Sequence, residues 1–158
     1  MFWGLLALLL VANGAPLAVR MVLGGRWAAP LDGGRPFIDG RPLLGPSKTW
    51  RGLIASLLAT TAVAPLVGLA PGIGALMALG AMAGDLASSF LKRRLGLASG
   101  ARALGLDQFP EALLPLLLCQ PWLHLGWGEM AGLVLAFAVG DLLLSRLMWW
   151  LGFRHHPY

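Results

Sequence analysis

The sequence is 158 residues long, 58% hydrophobic and only 12% charged, with a net charge of +5 at pH 7 and a mean hydropathy of +0.74. This composition excludes an ordinary soluble domain and makes a polytopic membrane protein the default. The positive balance does not point to nucleic acid, since no aromatic-basic repeat accompanies it, and the single cysteine, Cys119, excludes an internal disulfide.

Taken in order, the apolar segments predict an all-α chain of about five transmembrane helices, each near the roughly 20 residues that cross a bilayer. The first covers Phe2 to about Val19 and is interrupted by Asn13, Gly14 and Pro16; it lacks a basic leader and a clear cleavage site, so it reads as a retained helix bent at the proline. A Gly- and Pro-rich loop over 20–51 follows. The second span is Gly52–Ala70, and a Pro71-Gly72 turn leads to the third, Ile73–Leu91. The fourth, Phe109 to about Leu125, is short and contains Pro110, Pro115 and Pro121, so a tilted or partly re-entrant segment is an alternative. The fifth is Glu129–Leu151, and a tail closes the chain at Tyr158. No repeat or linker divides residues 1–158, which read as one domain.

Charge sets the expected orientation. Loops 20–51 and 92–108 hold ten of the twelve Lys and Arg residues, and Arg146 and Arg154 lie near the C-terminus. By the positive-inside rule the N-terminus is outside, and both long loops and the C-terminus are cytoplasmic.

The stretch with most chemistry runs from Gly84 to Gln108. At helical spacing Asp85, Ser88, Ser89 and Lys92 fall on one face, a polar strip on an otherwise apolar helix. Arg93 and Arg94 follow, then a glycine-punctuated loop and Asp107-Gln108 at the start of the next apolar run. Two separated carboxylates flanking a cationic cluster at a membrane surface suit a metal-bound polyphosphate. Upstream, Gly45-Pro46-Ser47-Lys48-Thr49-Trp50-Arg51 offers cations, hydroxyls and backbone donors at a helix start. Its glycine spacing is not that of a P-loop.

Each member also has a plainer reading. Lys48 and Arg51 can be a positive-inside anchor beside an interfacial tryptophan, and Lys92-Arg93-Arg94 a topology signal. Asp85 can pair with Lys92, and Asp107 can simply favour a helix N-terminus. An intramembrane acid is nevertheless costly, which favours function at Asp85. Asp141 is a further acid within the fifth span, where Ser145 can hydrogen-bond it and a structural or supporting role is expected. Gly80/Gly84 and Gly128/Gly132 each form a GxxxG spacing, a weak sign of close helix packing.

Taken together, these residues resemble the CDP-archaeol synthase family, integral-membrane cytidylyltransferases related to phosphatidate cytidylyltransferase (CDP-diacylglycerol synthase). The resemblance is carried by Ala12-Asn13-Gly14-Ala15-Pro16, Asp39-Gly40-Arg41, Lys48-Thr49-Trp50-Arg51-Gly52, Gly84-Asp85, Ser89 to Arg94, Leu106-Asp107-Gln108 and the Leu151-Gly152-Phe153-Arg154 tail. It covers nearly the whole chain. Two positions depart from the pattern. Where members commonly carry a further acid two residues after the Gln, this chain has Pro110, with Glu111 beside it, and Gly45-Pro46-Ser47 precedes Lys48 in place of the usual Gly-Asp or Gly-Lys character. Both bear on the lipid substrate more than on the chemistry.

The resemblance implies a multi-pass enzyme of the cytoplasmic membrane that transfers CMP from CTP to a lipid phosphate, with Mg²⁺ as cofactor and pyrophosphate as product. It implies Asp85 and Asp107 as metal ligands and catalytic residues with Lys92. Lys48, Thr49, Arg51, Ser89 and Arg93 then bind the nucleotide and substrate phosphates, and Gln108 binds there too or orients Asp107. No nucleic-acid partner is expected. The same chemistry on phosphatidate in place of an archaeal-type ether lipid stays open, and so does a non-enzymatic small carrier or structural subunit. The absence of an internal repeat argues against the carrier.

Overall fold

The computed structural model describes residues 1–99, 101, 103 and 105–150, and the expected tail motif from Leu151 to Arg154 lies outside them. The described residues form five α-helices: α1 Phe2–Leu23, α2 Trp50–Val63 (continued by a 3₁₀ turn, Ala64–Val67), α3 Pro71–Arg94, α4 Gln108–Leu123 and α5 Trp127–Trp150. Among the described residues there is no strand, only isolated bridges pairing Pro30 with Thr49 and Pro36 with Pro42.

Local chemistry explains most boundaries. Thr49 caps α2 by accepting from the Gly52 amide, and Pro71 occupies the first turn of α3, where its missing N–H removes no helix bond. Pro65 tightens the end of α2 into the 3₁₀ turn, which Gly68 closes in the left-handed region at φ 77°. Three cations, Lys92, Arg93 and Arg94, sit in the last turn of α3 and oppose its negative dipole end. Helix α1 runs through Pro16 to Leu23, further than expected, and Asn13 satisfies its own amide on the Leu9 carbonyl at 2.9 Å.

Helices α1, α3 and α5, and α2 with its 3₁₀ turn, are long and apolar enough to cross a membrane. The fourth predicted span differs. Helix α4 has 16 residues and is about 24 Å long at 1.5 Å per residue, short of the ~30 Å hydrocarbon core. Prolines 115 and 121 lie within it, and His124 stops it in a left-handed conformation at φ 51°.

Packing contacts define the arrangement. Gly4 meets Val67 and Gly52 meets Pro16, so α1 and α2 are antiparallel; Gly80 meets Pro115 and Gly84 meets Pro110, so α3 and α4 are too. Phe2 lies on Gly132 and Leu10 on Gly140, which makes α5 parallel to α1. Helix α3 is the centre of the bundle. Its apolar window is 56% buried, against 22–28% for the other three spans. Leu5, Leu8, Met77, Leu116, Leu133 and Phe137, from four of the helices, form one core.

The Gly80/Gly84 spacing corresponds to real proximity. A Cβ on Gly80 would lie 2.5 Å from Pro115 Cα, and one on Gly84 2.5 Å from the Pro110 carbonyl carbon. Gly128/Gly132 does not, since Gly128 has open space around it. Close approach of α3 and α4 is what brings Asp85 beside the Asp107 end of α4.

Candidate active site

The site is built at one end of the bundle, where loops 24–49 and 95–107 meet the C-terminal part of α3. Asp32 organises the first loop. Its carboxylate accepts from the amides of Gly34 (2.9 Å), Leu44 (2.9 Å) and Gly45 (3.0 Å). Burial alone would raise its pKa, but the N–H groups of Gly45, Leu44 and Gly34 outweigh it and hold the carboxyl below its ordinary value. Sequence reasoning passed over Asp32, although Asp-Gly-Gly is a turn signature.

Arg94 ties this loop to α3. Its guanidinium pairs with Asp39 at 2.7 Å, donates to the Pro42 carbonyl at 2.6 Å, and lies 4.7 and 5.0 Å from the Phe37 and Phe90 ring centroids. Arg41 donates back to the Arg94 carbonyl at 2.5 Å. Together these contacts set Lys48 over α3.

Two lysine–aspartate pairs result. Lys48 Nζ reaches both oxygens of Asp85, at 2.5 and 2.6 Å. Lys92 Nζ lies 2.7 Å from Asp107 Oδ1 and donates to the Ala101 carbonyl at 2.9 Å. The expected alternative, Asp85 with Lys92 along one helix face, is therefore incorrect: Lys48, brought from 37 residues away, takes Asp85. The Lys92 contact is ionic, and the buried Oδ1 of Asp107 takes no hydrogen bond. Asp107 stands at the N-cap position of α4, as its place in the sequence suggested, but its side chain makes no capping hydrogen bond; its Oδ2 accepts from the Ala103 amide at 3.0 Å and so closes the loop before it.

Other predicted residues divide. Ser89 and Arg93 line the same cavity as both pairs, and Arg93 donates to the Ala98 carbonyl at 2.7 Å. Ser88 turns its hydroxyl onto the Asp85 carbonyl at 3.0 Å. Thr49 accepts from the Gly52 amide and still faces a cavity. Arg51 has two nitrogens engaged by the carbonyls of Arg26 and Gly24, so it braces the cavity wall. Gln108 is buried, accepting from the Gly105 amide at 2.9 Å and donating to Asp141 Oδ2 at 3.1 Å. Ser145 bonds the Asp141 carbonyl oxygen at 2.7 Å. Glu111 lines the same cavity as Asp85 and Asp107, so the acid one position beyond Pro110 does reach the site.

Two cavities meet here. One, of about 230 Å³, contains Asp85, Ser89, Lys92, Arg93, Asp107 and Glu111; the other, of about 730 Å³, is lined by Thr49, Arg51 and Ser99. Lys48 and Asp85 line both, together with Pro16, Arg20, Ser47 and Met82. The carboxylate oxygens of Asp85, Asp107 and Glu111 in the smaller cavity fit a hard divalent cation. No group of three His, Cys, Asp or Glu among the described residues suffices to hold a metal alone. The set therefore suits a cation whose remaining ligands are substrate phosphates.

Helices apolar enough to cross a membrane, with Lys–Asp pairs facing adjoining cavities at one end of the bundle, are the features of a multi-pass intramembrane enzyme, and the comparisons agree. A solved structure of an intramembrane enzyme for archaeal membrane lipids biosynthesis superposes with a TM-score of 0.65 at 36% identity, over 89% of this chain and 87% of that one. The family model of CarS-like CDP-archaeol synthases matches residues 2–73 and 69–158. The CDP-archaeol synthase of Hyperthermus butylicus is 43% identical over 116 residues, 68% of this chain and 66% of the relative. That of Pyrococcus furiosus is 36% identical over 88% of this chain and 87% of its own length; that of Methanopyrus kandleri is 41% identical over 87% and 78%. The chain belongs to the CDP-archaeol synthase family.

Proposed function

We propose that this protein transfers CMP from CTP to a lipid phosphate of the archaeal ether type, releasing pyrophosphate, at the cytoplasmic face of the cell membrane. Family membership gives the reaction class, and the two Lys–Asp pairs in adjoining cavities carry the mechanism. A lipid phosphate oxygen attacks the α-phosphorus of CTP, and the bond from that phosphorus to the β-phosphate oxygen breaks. The barrier lies mainly in bringing anions together and in charge growing on the leaving oxygens.

Before substrate arrives, Lys48 and Lys92 neutralise Asp85 and Asp107 and lower the cost of burying them. When the triphosphate enters, both ammonium groups have phosphate oxygens to bind, and both carboxylates are released. Asp85 and Asp107 would then hold Mg²⁺ together with substrate phosphates, with Glu111 beside Asp85. Mg²⁺ would supply further neutralisation of the leaving pyrophosphate. Arg93 and Ser89 add donors on the same wall, and Thr49 and Arg51 line the larger cavity. No general base is needed, because a phosphomonoester with a second pKa of about 6 is already largely ionised.

The test is formation of CDP-lipid from labelled CTP by detergent-purified protein, with and without Mg²⁺, using archaeal-type ether-lipid phosphate and phosphatidate in parallel. Product with neither lipid would remove the enzymatic reading. Better turnover of phosphatidate would remove the ether-lipid assignment alone.

A further inference from the structure

Helix α5 contributes Asp141 to the wall of the smaller cavity, yet none of the chemistry above uses it. We infer that Asp141 is a positioning residue: through Gln108 it fixes the 103–107 turn and thereby the carboxylate of Asp107. This rests on the cytidylyltransferase reading for its catalytic consequence, and on geometry for its structural one.

A glutamine amide has a donor end and an acceptor end that can exchange by a flip. An ionised carboxylate only accepts, so Asp141 Oδ2, 3.1 Å from Gln108 Nε2, admits one orientation. The opposite end then presents Oε1 to the Gly105 amide, as found at 2.9 Å. Flipped, Gln108 would set its NH₂ against that N–H, two donors facing in a buried place. With Gly105 held, its carbonyl accepts from the Phe109 amide at 3.1 Å, and the Ala103 carbonyl accepts from the Asp107 amide at 3.1 Å. The Ala103 amide in turn donates to Asp107 Oδ2 at 3.0 Å, leaving Oδ1 turned toward Lys92. Asp107 thus depends on a chain of bonds that ends on another helix.

Substituting Asp141→Leu removes the acceptor while keeping a branched side chain of similar length. The expected result is a fall in kcat of at least about tenfold, the scale of losing a supporting partner of a site ligand. KM for CTP should change little, because Lys48, Lys92 and Arg93 remain. Amide hydrogen exchange should rise over 103–107 and stay unchanged in α1–α3. Asp141→Asn, which retains an oxygen acceptor, should recover most of the turnover. Gln108→Leu should match Asp141→Leu, and the double variant should be no worse than either single one. Additive losses, equal damage from Asp141→Asn and Asp141→Leu, or unchanged exchange at 103–107 would each overturn the inference. If the wild-type protein makes no CDP-lipid, the reaction assignment fails, while the exchange measurement still decides whether Asp141 holds the turn.

Discussion

Lys48 and Lys92 each hold a carboxylate that a cation would otherwise need, and this pairing makes the acids tolerable before substrate binds. Removing one member leaves an unmatched charge. Asp85→Asn and Asp107→Asn keep shape and lose a charged oxygen ligand, so turnover should fall at least about 100-fold in each, the scale of one strong electrostatic contact. Near-normal Mg²⁺-dependent CDP-lipid formation in both would remove these residues from the site. Lys92→Ala should act more on nucleotide binding, raising KM for CTP, and also loosen the loop it holds at the Ala101 carbonyl. Glu111 lines the cavity that also holds Asp85 and Asp107. Glu111→Gln should lower turnover about tenfold, as expected for a partner of a metal-holding acid; wild-type kinetics would mean that Glu111 only follows Pro110 into the helix.

At the scale of elements, the α3–α4 contact is the geometric condition for the site. Gly84→Ala would push a Cβ against the Pro110 carbonyl carbon at 2.5 Å, and backbone inside a helix cannot step aside as a side chain can. Overpacking of this kind costs about 1–3 kcal/mol. The variant should melt earlier in detergent and lose activity, because the separation it forces lies one residue from Asp85. Gly128→Ala, with nothing around it, is the control and should melt normally. In the first loop, Asp32→Asn removes the charge that three amides share, at about 2 kcal/mol of local stability. Since folding lowers the Asp32 pKa, its contribution is complete above the ordinary carboxylate pKa and fades as pH falls through the lowered one. Protease cleavage between Gly33 and Leu43 should therefore be faster in Asp32→Asn at neutral pH, and the two proteins should converge in acid.

For the whole molecule, the contacts put both long loops at the same end of the bundle, and the short turns before α3 and α5 at the other. Which end faces the cytoplasm is a matter of charge, and ten of the twelve Lys and Arg residues lie in those loops and the helix ends beside them, within residues 20–51 and 92–108. In a Cys119→Ala background, single cysteines at Ile38 and Ala98 should be shielded from an impermeant thiol reagent in intact cells. A cysteine at Gly128 should label. Ile38 suits this assay, being 94% exposed. Labelling of Ile38→Cys from outside would invert the topology and move the nucleotide site away from cytoplasmic CTP.

The crossing helices were legible in the sequence because lipid allows few solutions. Long apolar runs must satisfy their own backbone as helices, and the lopsided cations orient them. The clustering of Asp85, Ser89 and Lys92 was legible too, since helical spacing is a local rule. Who pairs with whom was not. Asp85 has a lysine one helical face away, yet it binds Lys48 across 37 residues, because Asp32 and Arg94 fold the first loop over α3. Asp107 begins α4 as the sequence suggested, but that its side chain clasps the loop before it, and that Gln108 is engaged at both amide ends by Gly105 and Asp141, was not legible. The short α4 could be read from its prolines, but its closeness to α3 depends on Gly80 and Gly84 meeting Pro115 and Pro110. Periodicity and hydropathy act along the chain, so sequence determined the helices; pair geometry acts through space, so only the tertiary structure decided which side chains meet at the candidate site.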